Sequence, residues 1–548
     1  MRKTKNLLRG IVLVLPICVI HAFAPVHCFS QGNIELEVFD KESGEPVSAR
    51  IVFSKSAKKL TRPKNVLFAG DQWLAESKFK LAPPNGDYEF LVQRGPEFNE
   101  VRGGFTIERG AKDSVPVEIP RSVDMHSEYW YSGDHFSSLS SQELNRWQLA
   151  DAVDFAVSTD SKTNLKSLSP RKTRDQDKPT EPTGQERTNP LNADRVGLGL
   201  SAVSHYLEWE NGALLLHGAI SEASKLKESD AFSMLDDATA NEKVFAELLR
   251  PWSRDVPLLL ASNAIRSIQL LSSYNRPDGD DRLVFSKEQT EGTRGKVQLT
   301  RGKVKIPSEV YAPIDADDVI RFNDPRGVGK LSESIYWQML EAGLQITPTA
   351  GSGFNGNNTQ VGYNRVYVFS ATQPDQSSWW RAIAQSHTFV TNGPLLRANI
   401  NSLPPGSIQT SYRGQSIALD ISVSLSVREP VDYLDVVFNG DTIYSAKLED
   451  HYKRGEFPPI EIDKSGWLVI RIVTDNSNGY RFATTAPFYF VFDGKPRVSR
   501  KAVSYFQQWQ KAAADHLAES PNQLNLYQPW IERSTRFWES RMIKSNAD

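Results

Sequence analysis

The first patterned stretch alternates: Ile34, Leu36 and Val38 are separated by Glu35 and Glu37, the period of two that a half-buried strand requires. A turn at Glu42-Ser43-Gly44 leads to a second apolar run at Arg50-Ile51-Val52-Phe53, and Pro83-Pro84-Asn85-Gly86-Asp87-Tyr88 opens a third at Glu89-Phe90-Leu91-Val92. Residues 33–120 therefore predict a small all-β domain. From 121 to 400 the pattern changes. Apolar runs at Asp154–Thr159, Ala213–His217, Ser267–Leu271, Gln345–Thr349 and Arg365–Phe369 predict strands, with helical patterns between them. Ser140 and Glu143 have the spacing of a capping box, and Leu144, Trp147, Ala150 and Val153 follow at helical intervals. Ser332–Ala342 predicts another helix, with Ile335, Met339 and Ala342 on one face and Gly343 closing it.

Strict alternation returns at Ile417, Leu419, Ile421, Val423, Leu425 and Val427, and Asn439-Gly440 after Val436-Val437-Phe438 is a hairpin signal. Residues 401–497 predict a second β-sandwich. In 498–548, Val503, Phe506, Trp509, Ala513 and Leu517 keep one helix face apolar, and Leu526 to Ile543 predicts a second helix. Both need a body to dock on, because their aromatic side chains would otherwise lie in water. Residues 161–195 are rich in Lys, Arg, Asp, Thr and Pro and read as a mobile insertion. A second polar insertion at 276–325 has some β character near Lys296 to Lys305.

The 548 residues are too many for one core and carry a net charge of −2, without the basic face that a nucleic-acid partner needs. Arg2, Lys3, Lys5 and Arg9 followed by the apolar Ile11 to Ile20 read as a secretory signal peptide over residues 1–30. Its removal takes four positive charges and both cysteines, Cys18 and Cys28, leaving no disulfide and no thiol ligand or nucleophile. Secretion without disulfides points to a bacterial envelope or periplasmic address, with no membrane span after cleavage.

The segment Tyr129-Trp-Tyr-Ser-Gly-Asp-His-Phe-Ser-Ser138 resembles the opening strand of the CehA/McbA-like branch of PHP-type (polymerase and histidinol phosphatase) metallohydrolases. In that branch the strand reads roughly Trp-Tyr-Ser-Gly-Asp-Leu-His-Val-His, and both histidines bind metal. Here Phe136 and Ser138 stand at those places; a phenyl ring cannot ligate a cation and a neutral hydroxyl does so poorly. Further likenesses lie at Ser334-Ile335-Tyr336 to Gly343-Leu344, Pro348-Thr349-Ala350-Gly351-Ser352-Gly353, Val361 to Val368 and Phe389 to Leu396. Ser272-Ser273-Tyr274-Asn275 stands where the family carries a further histidine. Residues 33–120 are similar to carboxypeptidase regulatory-like sandwiches. The resemblance implies an α/β-plus-β protein: a PHP-like distorted β/α barrel over 121–400, flanked by N-terminal and C-terminal β-sandwich domains and followed by a helical C-terminal tail.

Framework kept and ligands lost imply a possible pseudoenzyme that binds a small molecule or an envelope protein at the remnant cleft, with Ser138, Ser273, Asn275 and Ser352 as its candidate lining. The alternative is an ester or phosphoester hydrolase with a rebuilt site, using zinc or manganese and the candidates Asp134, His205 and His217. A third reading is a structural envelope module. After residue 30 the histidines are His126, His135, His205, His217, His387, His451 and His516. His135 occupies the family's leucine position, so strand alternation turns it away from the site. Glu208 and Glu210 lie close to His205, and Asp154 and Asp160 are further oxygen donors. The Gly351–Gly356 loop leads into a strand rather than a helix and so lacks the dipole of a phosphate loop. Trp379-Trp380 reads as core or as a sugar-stacking platform.

Overall fold

The computed structural model describes residues 33–548 apart from 55–59, 62, 64–65, 109–111, 160–161, 165–197, 210, 218–231, 233–234, 237–243, 278–280, 287–296, 302, 356–358 and 520. The expected signal peptide, most of the 161–195 insertion, Asp160 and Glu210 lie outside the described residues. The fold is mixed α/β, with strands predominating over helices. The chain forms two compact units. One holds the residues up to Met125 with Arg146–Ala152; the other holds His126–Asn145, Val153–Asn355 and Thr359–Asp548.

In the first unit, eight strands form one sheet. Asn33–Asp40 pairs antiparallel with Lys78–Leu81 and parallel with Lys112–Ile119. Its burial alternates as the sequence predicts, with Ile34, Leu36 and Val38 inside. A buried ion pair joins Arg50 to Asp151 at 2.5 Å.

The second unit is built on two large sheets. In one, Leu200–Val203, Phe155–Ser158 and Trp130–Ser137 run parallel, and Arg365–Phe369 then pairs antiparallel with Trp130–Ser137. Thr388–Thr391 continues this sheet, and Phe482–Thr485 pairs with it, so strands from beyond residue 400 join the same eleven-stranded sheet. The other sheet runs Lys162–Asn164, His205–Trp209, Gly212–His217, Phe245–Leu248, Ile265–Leu271 and Thr347–Ala350. Its last three strands are parallel.

Local signals account for many boundaries. The Ser140 hydroxyl accepts the Glu143 N–H and caps the Ser141–Ala150 helix. The helix expected over Ser332–Ala342 begins five residues earlier, at Gly327, and ends at Glu341. Gly343 follows at φ +76°, the left-handed conformation of a helix stop. Asn439 and Gly440 both have positive φ between Val431–Phe438 and Asp441–Ala446, as the hairpin signal requires. The alternating stretch from Ile417 breaks at Asp420 into Ile417–Leu419 and Ile421–Ser426, which pair with different strands.

The tail helices Arg500–Ala518 and Pro521–Ile543 dock as their apolar faces demand. Phe506 stacks on Trp538 with ring centroids 4.7 Å apart, and the Tyr527 hydroxyl donates to buried Asp255. Trp252, Trp379, Trp467, Trp509 and Trp538 are almost completely buried in one apolar cluster spanning both sheets and the tail. Truncating any one of them to alanine costs about 3–5 kcal/mol.

Candidate functional site

His135, His217 and Glu247 form a fully buried group whose candidate ligand atoms all lie within 4.8 Å of one another. Strand register assembles the two residues on one sheet. Leu215 lies opposite Glu247 and His217 opposite Phe245, so His217 and Glu247 share a face. Glu247 is also in register with Ser267, which puts Ser267 and Gln269 on that face. His205 pairs with Leu216, and alternation therefore turns it to the face opposite His217. Its neighbour Ser204 instead places a hydroxyl 2.7 Å from His217 Nδ1.

His135 reaches the group through a break in register. Between Asp134↔Ala156 and Ser137↔Ser158 the Trp130–Ser137 strand carries one extra residue, a β-bulge. The alternation that would send His135 away fails at this point. His135 meets Glu247, while Phe136 packs against Ala213, Leu215, Leu249 and Tyr206 of the same sheet.

The hydrogen bonds around His135 fix its tautomer. An indole N–H can only donate, and Trp379 Nε1 lies 3.1 Å from His135 Nε2. Nε2 is therefore the acceptor, and the Nδ1–H donates to Glu247 Oε2 at 3.0 Å. Glu247 also accepts from the Ser267 hydroxyl at 3.0 Å and the Gln269 amide at 2.8 Å, with His217 Nε2 at 3.5 Å. Burial pushes the Glu247 carboxyl up, but its interactions with His135 and His217 outweigh burial and hold it well below the usual carboxylate range. Burial lowers the His217 pKa, and Glu247 offsets only part of that, so His217 is neutral. Trp380 covers the group, its ring centroid 4.5 Å from that of His217 and 5.1 Å from that of His135.

Two imidazoles and a carboxylate could hold a divalent cation by donor type, and the 3.0 and 3.5 Å separations suit ligands about 2.0–2.2 Å from one ion. The hydrogen-bond polarity does not suit it. A metal on His135 Nδ1 needs the lone pair that now carries a proton. Moving that proton to Nε2 would set two donors, imidazole and indole, against each other. Metal-binding histidines ordinarily direct their second nitrogen at an acceptor. The resident arrangement is thus a hydrogen-bond network in which His135, Ser267 and Gln269 donate to one buried carboxylate.

The other sequence candidates lie outside this group, and Asp134, Ser138, Ser273 and Ser352 adjoin the Gly351–Phe354 turn. Asp134 is buried, and its carboxylate accepts the backbone N–H groups of Phe136, Ser352 and Gly362 at 3.1, 2.9 and 2.7 Å. Burial pushes its carboxyl up, and these hydrogen bonds offset part of the effect. Ser352 Oγ bonds the Asn364 backbone, and Asn275 Oδ1 accepts the Ser272 N–H. Ser138 is exposed and Ser273 half-buried. Phe136 occupies the space beside the Gly351–Gly353 turn: a Cβ at Gly351 would lie 2.6 Å from Phe136 Cβ. Asp154 accepts from Ser132 and Leu198 and lies 2.9 Å from His126 Nε2, and Glu208 pairs with Arg250.

Sequence reasoning missed Glu247 and set His135 aside. A signal for Glu247 was present: it is the one charged residue in the run Val244-Phe245-Ala246-Glu247-Leu248-Leu249, and a carboxylate within such a run needs a buried partner. No family model matches this chain, and no curated protein or solved structure matches it at a significant level. No helix among the described residues is long and apolar enough to cross a membrane.

Proposed function

We propose that this chain is a secreted bacterial envelope protein on a PHP-like barrel framework that binds a ligand rather than hydrolysing one. The observation that carries the reading is the Trp379 N–H on His135 Nε2, which keeps the His135 proton on Nδ1, the nitrogen that a cation between His135 and Glu247 would need. Phe136, packed where the resemblance expects a metal-binding histidine, supports it further. The group is also sealed, each of its three side chains being wholly inaccessible to solvent, whereas hydrolysis needs water and substrate at the ion.

The test is elemental analysis of the protein isolated from its envelope without chelator, combined with ester and phosphoester turnover assays. Zinc and manganese far below one equivalent, unchanged after incubation with either ion, is the expected result. Near-stoichiometric metal that survives dialysis, with turnover lost in His217→Ala, would replace this reading with the second one. That second reading, a hydrolase with a rebuilt zinc or manganese site, is favoured by one feature: three donors already converge within 4.8 Å.

A further inference from the structure

A half-open cleft of about 360 Å³ lies in the second unit, away from the His–His–Glu group. It opens where Ile265–Leu271 and Thr347–Ala350 begin and where the Gly327–Glu341 helix ends, and strands Gly466–Thr474 and Phe488–Phe492 supply its other wall. Its volume falls in the range of small-molecule sites. Leu344, Val491 and Pro496 give it apolar surface beside the polar groups.

The charge of the lining is one-sided. It includes Arg266, Arg497 and Arg541 and no acidic residue. Arg497 is neutralised by Glu341, to which it donates three hydrogen bonds of 2.8–2.9 Å. Among the described residues no ion pair joins Arg266 or Arg541 to a carboxylate, and the contacts of Arg541 are to a backbone carbonyl and a ring. Arg541 Nη1 donates to the Ala342 carbonyl at the helix end, and its guanidinium lies over Phe537. Its Nε–H is buried without a hydrogen-bond partner, as is the hydroxyl of Tyr489, another lining residue. Burial alone lowers the Arg541 pKa, as expected of a cation removed from water without a counter-charge.

We infer that this cleft binds a small amphiphilic organic anion, its apolar body against Leu344, Val491 and Pro496 and its carboxylate paired with Arg541, with Arg266 adding to the positive field. A monocarboxylate fits better than a phosphate dianion, because a lining that is half apolar makes removing a second charge from water expensive. The site goes beyond the proposed function and stands whether or not the framework hydrolyses anything.

Calorimetric titration of the full chain with 2-naphthoate, and in parallel with uncharged 2-naphthylmethanol, tests it. The expected result is saturable binding of naphthoate, at least about tenfold tighter than the alcohol, the worth of one charge-assisted hydrogen bond. Arg541→Gln abolishes that preference and leaves the alcohol's affinity in place. Because Arg541 also holds a helix end, Arg266→Gln serves as a second variant: its exposed side chain is dispensable for folding, and its loss weakens naphthoate several-fold, most at low salt. Equal affinity for the two probes, no saturation with naphthoate, or a folded pair of variants that both bind like the parent protein would each overturn the inference. Metal content decides the proposed function and naphthoate binding decides this one, so either can fail without the other.

Discussion

At the residue scale, the polarity of one hydrogen bond carries most of the functional argument. Trp379→Phe removes the indole donor and frees His135 Nε2 to take a proton, which releases Nδ1 as a ligand. The variant should take up more zinc than the parent protein, read by elemental analysis after equilibrium dialysis. It should also lose about 1–3 kcal/mol of stability through the poorer fit of a smaller ring. If zinc uptake is unchanged, the tautomer is not what opposes the ion. The acid limb of stability follows from the same group. The folded Glu247 carboxyl sits below its unfolded value of 4.5, so its stabilisation is present above pH 4.5 and drains away as pH falls toward the folded value. His217 is also depressed from 6.5, so below that pH the unfolded chain binds the extra proton and stability declines in the same direction. Urea titrations between pH 7 and pH 3 should therefore show falling stability. Glu247→Gln should flatten the lower part of that profile and cost about 2–4 kcal/mol at neutral pH.

At the element scale, the Trp130–Ser137 strand is the device that makes the site. Its bulge sends His135 and Phe136 to the same sheet, and Gly133 leaves room for Trp379 beside it, since a Cβ there would overlap the indole ring. Gly133→Ala should displace Trp379, cost about 1–3 kcal/mol by overpacking and alter the near-ultraviolet circular dichroism of the aromatic cluster. An unchanged spectrum with unchanged stability would mean that Trp379 is not held by this strand. Strands with a polar face or clear turn flanks were readable from sequence: Arg365–Phe369 was found to the residue, and Asn33–Asp40 showed its alternation. Phe245–Leu248 was not found. It lies between two partner strands within a nearly continuous apolar run, so it offered no period of two. The bulge was equally invisible, because an extra residue in a ladder is defined by the partner strand.

At the scale of the whole molecule, sheet continuity decides how the second unit folds. Thr388–Thr391 pairs with Phe482–Thr485, so residues on both sides of position 400 share one set of hydrogen bonds. A fragment spanning 126–400 would lose that partner strand and the apolar cover of Trp467, Phe506 and Trp538. It should show no cooperative thermal transition by calorimetry, whereas the full chain should. A cooperative transition in the fragment would show that residues 126–400 are independently stable.

The sequence by itself determined the local grammar: the strands with alternating faces, the Ser140 cap, the Gly343 stop, the Asn439-Gly440 hairpin and the tail helices that needed a surface. It also determined that Phe136 and Ser138 cannot bind a metal as imidazoles would. Only the tertiary structure decided that His135, His217 and Glu247 meet, that His205 does not join them, and that Arg541 and Arg266 line one cleft. The physical reason is the same in each case. Periodicity and caps are set by neighbours within a few residues, and they fix which face a side chain takes. The partner on that face comes from pairing across more than 100 residues, as between His135 and Glu247, and a single bulge reverses the face itself.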